Sequence, residues 1–145
     1  MAEENYKHTE VTGKIINAFF NVYNKLGYGF LEKVYENAMV VELEKMGLNV
    51  QVQQPIKVYY ESREVGLYFS DLLVEDCVIV ELKAANTLCE EHEAQLINYL
   101  KATEIEIGLL MNFGKEAQFK KKAFSNEFKD MPVRILYDKQ IKSLS

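Results

Sequence analysis

The stretch SDLLVEDCVIVELKA, residues 70–84, constrains the fold most, because charged residues flank two short apolar runs. The runs LLV and VIV are aliphatic and rich in β-branched residues, as expected of strands that are buried in a sheet. Asp71 opens the first run, and Glu81 and Lys83 follow the second at a spacing that places both on one face. Buried strands seldom contain charges without a partner or a function. The segment therefore predicts a hairpin with a functional group of charges.

The length of the hairpin loop decides whether these charges meet. A two-residue turn at 75–76 would pair Asp71 with Val80 and leave Asp71 and Glu81 on opposite faces. A three-residue loop at 75–77 pairs Asp71 with Glu81, because a slip of one residue moves every side chain to the other face. We predict an odd-length loop or a bulge.

Two carboxylates beside a lysine suit a metal-dependent hydrolase. Mg²⁺ prefers oxygen ligands and keeps several waters, and it lowers the pKa of a bound water and offsets charge on a phosphodiester. Lys83 could orient that water or stabilise the developing oxyanion. The alternative is a buried ion pair of Lys83 with Glu81 or Asp71, although such pairs contribute little net stability.

The rest of the chain predicts a mixture of helices and strands. Apolar residues recur every three or four positions over residues 8–25 and 30–46, which predicts two amphipathic helices, and Gly27 and Gly47 are well placed to end them. Extended stretches are predicted at 48–54, 55–62, 63–74, 78–84 and 106–113, with a helix at 88–102. Residues 118–128 predict a strand or a short helix, and 133–137 a short strand.

The predicted order is α–α–β–β–β–β–α–β, and the length of 145 residues suggests one domain spanning residues 1–145. This order indicates an α/β or α+β domain with a mixed sheet of four to five strands flanked by helices. A polar start and the absence of an apolar run near the roughly 20 residues of a membrane span predict a cytoplasmic protein. Cys77 and Cys89 fit no metal spacing, and we expect reduced core thiols.

The net charge of −5 argues against a molecule that traps nucleic acid by overall charge. Residues 114–145, however, carry eight Lys or Arg against four Asp or Glu. Within them, Lys120, Lys121 and Lys122 form a basic strip that could bind substrate phosphates. The alternative is a solvated surface strip.

The segment GYGFLEKVYENAM, residues 27–39, contains a possible glycine loop. A dinucleotide-binding loop needs a preceding strand and a third glycine, whereas here a helix precedes and Glu32 takes the third position. A carboxylate there would repel phosphate, so the glycines more simply let two helices meet at a sharp angle. Glu32 and Tyr35 are three apart and project together.

The predicted helix at 88–102 carries Gln95 and Tyr99, which are four apart and share a face. They could hydrogen-bond a scissile phosphate, a base edge or Lys83, and His92 lies near the same face. The alternative is an ordinary solvated helix face.

In combination, these residues resemble the GxxExxY protein family, which is placed within the PD-(D/E)XK nuclease superfamily. The resemblance runs from about Thr9 to Phe124. It rests on these positions in this order: Gly29-x-x-Glu32-x-x-Tyr35, Asp71, Glu81-x-Lys83 and Gln95-x-x-x-Tyr99. It implies a restriction-endonuclease-like core of a mixed sheet and helices in the order α-β-β-β-α-β.

The resemblance also implies residue roles. Asp71 and Glu81 become catalytic ligands of Mg²⁺ or Mn²⁺, Lys83 the catalytic lysine and Glu32 an additional helix acid that binds or orients the metal through water. Gln95 and Tyr99 resemble the Q-x-x-x-Y motif of RecB-type nucleases. They imply substrate binding, and Tyr35 would brace Glu32 or the substrate.

The function implied is a Mg²⁺-dependent nuclease that hydrolyses phosphodiester bonds of DNA or RNA, with nucleic acid as partner and no membrane. One alternative is a non-catalytic domain that binds nucleic acid or protein and keeps the fold; another is a core shaped by packing alone. A homodimer formed through an exposed edge strand would make it easier to cut both strands of a duplex.

Overall fold

The computed structural model describes residues 8–129, in which three helices flank one five-stranded mixed sheet. The helices are α1 (Thr9–Leu26), α2 (Glu32–Lys45) and α3 (Glu90–Lys101). The strands are β1 (Val50–Tyr60), β2 (Arg63–Val74), β3 (Val78–Lys83), β4 (Ile107–Phe113) and β5 (Ala117–Ala123), followed by a 3₁₀ turn at Asn126–Phe128. The sheet order is β1-β2-β3-β4-β5, with β3 and β4 parallel and the other neighbours antiparallel. The predicted class, a mixed sheet flanked by helices, is confirmed.

Some strand boundaries differ from those predicted. The stretches 48–54 and 55–62 belong to one continuous strand, β1, in which Pro55 lies opposite Phe69. A proline is compatible with this position because β1 is an edge strand, where one row of backbone groups has no ladder partner. Residues 118–128 contain most of β5 and then the 3₁₀ turn, and 133–137 lies outside the described residues.

The two faces of the sheet are covered by different helices. α1 and α2 pack on one face, where the Phe113 ring lies 4.8 Å from the Phe19 ring and 4.2 Å from the Tyr35 ring. α3 packs on the other face through Leu96 and Leu100. Because both faces are covered, all seven residues of β4 are buried, which explains why this strand is apolar apart from Asn112.

The hairpin of β1 and β2 leaves the rest of the sheet part-way along its length. β2 pairs with β3 only over residues 72–74, whereas β1 and β2 remain paired as far as Tyr60 and Arg63. We call residues 54–70 the outer hairpin. The separation point falls at Asp71, so the fold opens the sheet next to a predicted site residue.

The two cysteines differ in their exposure to solvent. Cys77 is half-buried and Cys89 is exposed, and both are free. The expectation of a core thiol was wrong for Cys89, because this residue lies at the N-cap of α3, where helices begin at the surface. No helix within residues 8–129 is long and apolar enough to cross a membrane.

Candidate active site

Asp71 and Glu81 meet where β2 separates from β3. Val74 pairs with Val78, so the hairpin loop is the three-residue stretch 75–77, and the odd-length loop predicted from the sequence is confirmed. The same register places Asp71 opposite Glu81, one step beyond the last paired residues.

At this position, hydrogen bonds from side chains replace the backbone hydrogen bonds between β2 and β3. The Asp71 N–H donates to Glu81 Oε2 at 2.7 Å, and the Leu82 N–H donates to Asp71 Oδ2 at 2.8 Å. These two bonds satisfy backbone donors that would otherwise lose their partners as the strands separate. They also hold the two carboxylates against each other in fixed orientations.

The environment disfavours ionisation of both acids. Glu81 is only 4% exposed, and burial, followed by the charge of Asp71, raises the pKa of Glu81 from its ordinary 4.5 to about 8. Burial also raises the pKa of Asp71, although the hydrogen bond from Leu82 opposes the rise. Lys83 lowers the pKa of both acids. Two like charges with little access to water favour a bound cation.

The donor set fits Mg²⁺ or Mn²⁺. Each carboxylate commits one oxygen to a backbone N–H, and Asp71 Oδ1 and Glu81 Oε1 lie outside those two bonds. Carboxylate oxygens are the hard ligands that these ions prefer. No group of three or more His, Cys, Asp or Glu side chains suited to a metal occurs in the described part of the chain. The protein would therefore supply few ligands and leave the others to water and substrate, as is usual for Mg²⁺.

Helix α2 brings two acids to the site, although the sequence predicted only one. Glu32, the first residue of α2, is exposed, and its charge raises the pKa of both Asp71 and Glu81. Glu36 follows one turn later, is only 6% exposed, and has a larger effect than Glu32 on Asp71. Sequence reasoning missed Glu36, but its spacing of four from Glu32 could have indicated a shared helix face.

Gln53 of β1 connects Glu36 to Asp71. Its Nε2 donates to Glu36 Oε1 at 2.9 Å and lies 3.5 Å from Asp71 Oδ1. Its φ is +49°, and the β1–β2 ladder is interrupted at Gln53 without a change of register, since Val52 pairs with Leu72 and Gln54 with Ser70. A left-handed conformation costs a residue with a side chain about 1–3 kcal/mol, and such strain collects at functional sites. The alternating pattern of residues 48–54 gave no sign of it.

Lys83 ends β3, and the chain after it is held firmly. Lys83 is half-buried and lies beside Asn112 of β4. The fully buried Asn112 side chain accepts from the Ala85 N–H and donates to the Ala85 carbonyl, both at 2.9 Å. A Cβ on Gly114 would lie 2.3 Å from the same carbonyl oxygen, so the close approach requires glycine. These contacts limit the movement of the strand end that carries Lys83.

Helix α3 places Tyr99 beside the carboxylates. Tyr99 is 6% exposed, and burial, with added effects from Glu81 and Asp71, raises the pKa of Tyr99 from its ordinary 10 to about 12. Gln95, half-buried, lines a cleft together with Tyr99, as their spacing predicted. His92 instead caps the helix, since its Nδ1 accepts from the Cys89 N–H at 3.3 Å.

Tyr35 is placed differently from its predicted role in substrate binding. Its side chain is fully buried, and its ring stacks on Phe113 at 4.2 Å. Its hydroxyl donates to the Gly27 carbonyl at 2.7 Å and accepts from the Phe30 N–H at 3.2 Å. Tyr35 therefore fixes the turn between α1 and α2, which sets where Glu32 begins its helix.

The basic strip is largely paired within the protein. Glu93 of α3 accepts from Lys120 at 3.0 Å and from Lys122 at 2.6 Å. Lys121 is half-buried, and burial lowers its pKa. The three lysines are thus not a row of unpaired surface cations, which weakens their predicted contact with phosphates.

Comparison with known proteins identifies the superfamily to which the chain belongs. No curated protein matches the chain significantly. The crystal structure of SSO0001 is similar, with a TM-score of 0.50 and 12% sequence identity over 78% of this chain and 59% of that protein, a likeness of fold alone. The sequence profile of the PD-(D/E)XK nuclease superfamily matches residues 9–124. That match covers most of the chain, which therefore belongs to the PD-(D/E)XK nuclease superfamily, and its mixed sheet and helices are consistent with a restriction-endonuclease-like fold.

Proposed function

We propose that the protein is a nuclease that uses Mg²⁺ or Mn²⁺ to hydrolyse phosphodiester bonds of DNA or RNA. The observation that carries the proposal is the contact between Asp71 and Glu81 at the point where β2 leaves β3. Placing two acids together where burial raises the pKa of both is unfavourable at neutral pH. A divalent cation would offset this cost. Membership of a nuclease superfamily supports the same class of reaction.

In this proposal the acids have distinct tasks. Asp71 and Glu81 hold the ion through the oxygens that their backbone bonds leave available. Glu32, exposed at the start of α2, supports the ion through water. When bound, the ion would offset phosphodiester charge and lower the pKa of a water ligand. Gln53 and Glu36 keep Asp71 in one orientation through the contacts at 2.9 and 3.5 Å.

The remaining groups act on the substrate. Lys83, close enough to lower the pKa of both carboxylates, orients the attacking water or stabilises the negative charge that develops on the phosphate. Gln95 and Tyr99 supply neutral donors for a phosphate oxygen or a base edge. Lys120 and Lys122 would contact phosphates only by leaving Glu93. A homodimer and a cytoplasmic location stay predictions from the sequence.

The test is cleavage of a panel of single- and double-stranded DNA and RNA with Mg²⁺ or Mn²⁺. We expect cleavage by the wild type and losses of about 100-fold or more in Lys83→Ala and Asp71→Asn, the scale of removing one group that stabilises the transition state. Lys45→Ala, an exposed lysine of α2, is the matched control and should cleave normally.

Two results would contradict the proposal. One is cleavage that survives in both site variants at the wild-type rate. The other is no cleavage of any substrate together with a melting temperature that millimolar metal leaves unchanged, since an ion that binds only the folded state must stabilise it. That second result would favour a non-catalytic binding domain that keeps the fold.

A further inference from the structure

A cleft with a volume of about 970 Å³ lies between the outer hairpin and α3. Its hairpin wall is formed by residues 57–61 and Tyr68, and its helix wall includes Gln95, Asn98 and Tyr99. The volume is near the upper end of the range of about 300–1,000 Å³ that is typical of ligand sites. The cleft therefore has room for more than one nucleobase.

The walls of this cleft, which we call the tyrosine cleft, are rich in tyrosine. Four tyrosines line it: Tyr59, Tyr60, Tyr68 and Tyr99. Tyr60 is 67% exposed and Tyr68 is 49% exposed, so much of the surface of both rings is open to a ligand. The Tyr68 and Tyr99 rings lie 5.9 Å apart at a 47° tilt. Exposed aromatic surface of this kind serves as a platform on which bases of any sequence can stack.

The polar groups of the tyrosine cleft are balanced in charge. Gln95 and Asn98 offer amide donors and acceptors for base edges. Lys57 and Lys101 are countered by Glu61 and Glu91 in the same lining. Attraction to phosphate is therefore modest here, and stacking and shape decide what binds. A ligand held in this way should show a weak dependence on salt.

Tyr99 links the tyrosine cleft to the candidate active site, because its ring lies 5.9 Å from that of Tyr68, which precedes Asp71 by three residues in β2. Tyr99 lines the cleft and also lies close enough to Asp71 and Glu81 for their charges to act on its hydroxyl. A strand with its bases in the cleft would thus have its backbone near the two carboxylates. Bases within a duplex hide their faces in the stack, so only unpaired bases can reach the tyrosine rings.

We propose that the tyrosine cleft binds unpaired bases of a nucleic-acid strand and that the substrate is single-stranded next to the bond that is cut. The second half of this statement rests on the proposed nuclease function. The first half does not, because stacking in the cleft needs no metal.

The test is binding of fluorescent oligonucleotides to the full chain in EDTA, where a metal-dependent nuclease cannot cut. The probes are a twenty-nucleotide oligodeoxyuridylate, the matching oligouridylate, which differs from it only in the sugar, and a duplex of the same length. We expect single strands to bind at least about tenfold more tightly than the duplex. Tyr60→Ala and Tyr68→Ala should each weaken single-strand binding by about fivefold or more, the lower end of what one base–aromatic stack contributes.

Two controls separate stacking from damage to the fold. Tyr68→Phe keeps the ring and should bind within about twofold of wild type. Phe128→Ala removes a ring that is also exposed, at 57%, but lies outside the cleft, and binding should not change. Tyr60 is the more exposed of the two test residues, so its variant is the safer one for folding; circular dichroism verifies this.

The outcomes distinguish this proposal from the nuclease itself. Any of three results would overturn the proposed role of the tyrosine cleft, even if the protein cleaves DNA or RNA with Mg²⁺. These are duplex binding as tight as single-strand binding, alanine variants that bind normally, and no binding of any probe. Tyrosine-dependent binding of single strands without cleavage under any metal would support the cleft and refute the nuclease. A preference between the two single-stranded probes identifies the sugar.

Discussion

Glu81→Gln should stabilise the metal-free protein, and the gain should grow with pH. The pKa of Glu81 is about 8 in the folded protein, against an ordinary 4.5. The folded state therefore holds this proton more tightly than the unfolded chain, and the free energy of unfolding falls as pH rises from about 4.5 to about 8. At 1.36 kcal/mol per pH unit, the full interval corresponds to at most about 5 kcal/mol. Because Asp71 titrates in contact with Glu81 and shares the effect, we expect the free energy of unfolding of Glu81→Gln to exceed that of wild type by about 2 kcal/mol or more near pH 8.

Glutamine suits this test because it keeps the shape of the side chain and an oxygen that can accept from the Asp71 N–H. The charge is removed while the bond between the strands is kept. The difference in stability between Glu81→Gln and wild type should be small at pH 5 and largest near pH 8.

The assay is urea unfolding in EDTA at intervals between pH 5 and pH 8.5. Glu44→Gln changes an exposed glutamate of α2 outside the site and should follow the wild-type curve. The raised pKa of Glu81 would be refuted if wild-type stability did not fall over this interval, or if Glu81→Gln showed the same dependence on pH as wild type.

The other predictions concern the ion, the strained strand and the end of β3. Mg²⁺ or Mn²⁺ at millimolar concentration should raise the melting temperature more at pH 8 than at pH 6, since ligands must be ionised, and Asp71→Asn should abolish this rise in a thermal scan. Gln53→Gly should leave stability within about 1 kcal/mol, because relief of the positive φ offsets the flexibility of glycine, yet reduce cleavage about tenfold or more; unchanged cleavage would show that Asp71 needs no such support. Gly114→Ala should cost at least about 2 kcal/mol in urea unfolding, because its Cβ would meet the Ala85 carbonyl. Gly13→Ala, where a Cβ meets nothing within 4 Å in α1, should be neutral or stabilising, and equal losses in both variants would contradict the steric argument.

Local patterns in the sequence were sufficient for most of the fold. The period of apolar residues indicated α1 and α2, and the apolar runs indicated β3 and β4, because burial of one or both faces imposes these patterns directly. The loop at 75–77 was predictable for a similar reason: alternation along a strand links loop length to the face on which Asp71 and Glu81 lie. These inferences depend only on residues that are close together in the sequence.

Other features depended on contacts between distant segments. The bond of Gln53 to Glu36 joins residues 17 positions apart in β1 and α2, and the left-handed φ of Gln53 leaves no mark in an alternating sequence. The pairing of Lys120 and Lys122 with Glu93 joins β5 to α3. Because the sequence does not show this packing, the lysines suggested a basic strip open to solvent.

By itself, the sequence determined most of the elements, the hairpin register and most of the charged residues that could form a site, because hydrophobic periodicity and strand alternation are local properties. Beyond the pair of Asp71 and Glu81, only the tertiary structure decided which of these residues meet. It buried Tyr35 under the turn after α1 and added Glu36 to the acids near Asp71. It also set Tyr68 of the outer hairpin against Tyr99 of α3. The physical reason is that desolvation, charge coupling and cleft shape arise from the relative positions of whole elements, which no local pattern encodes.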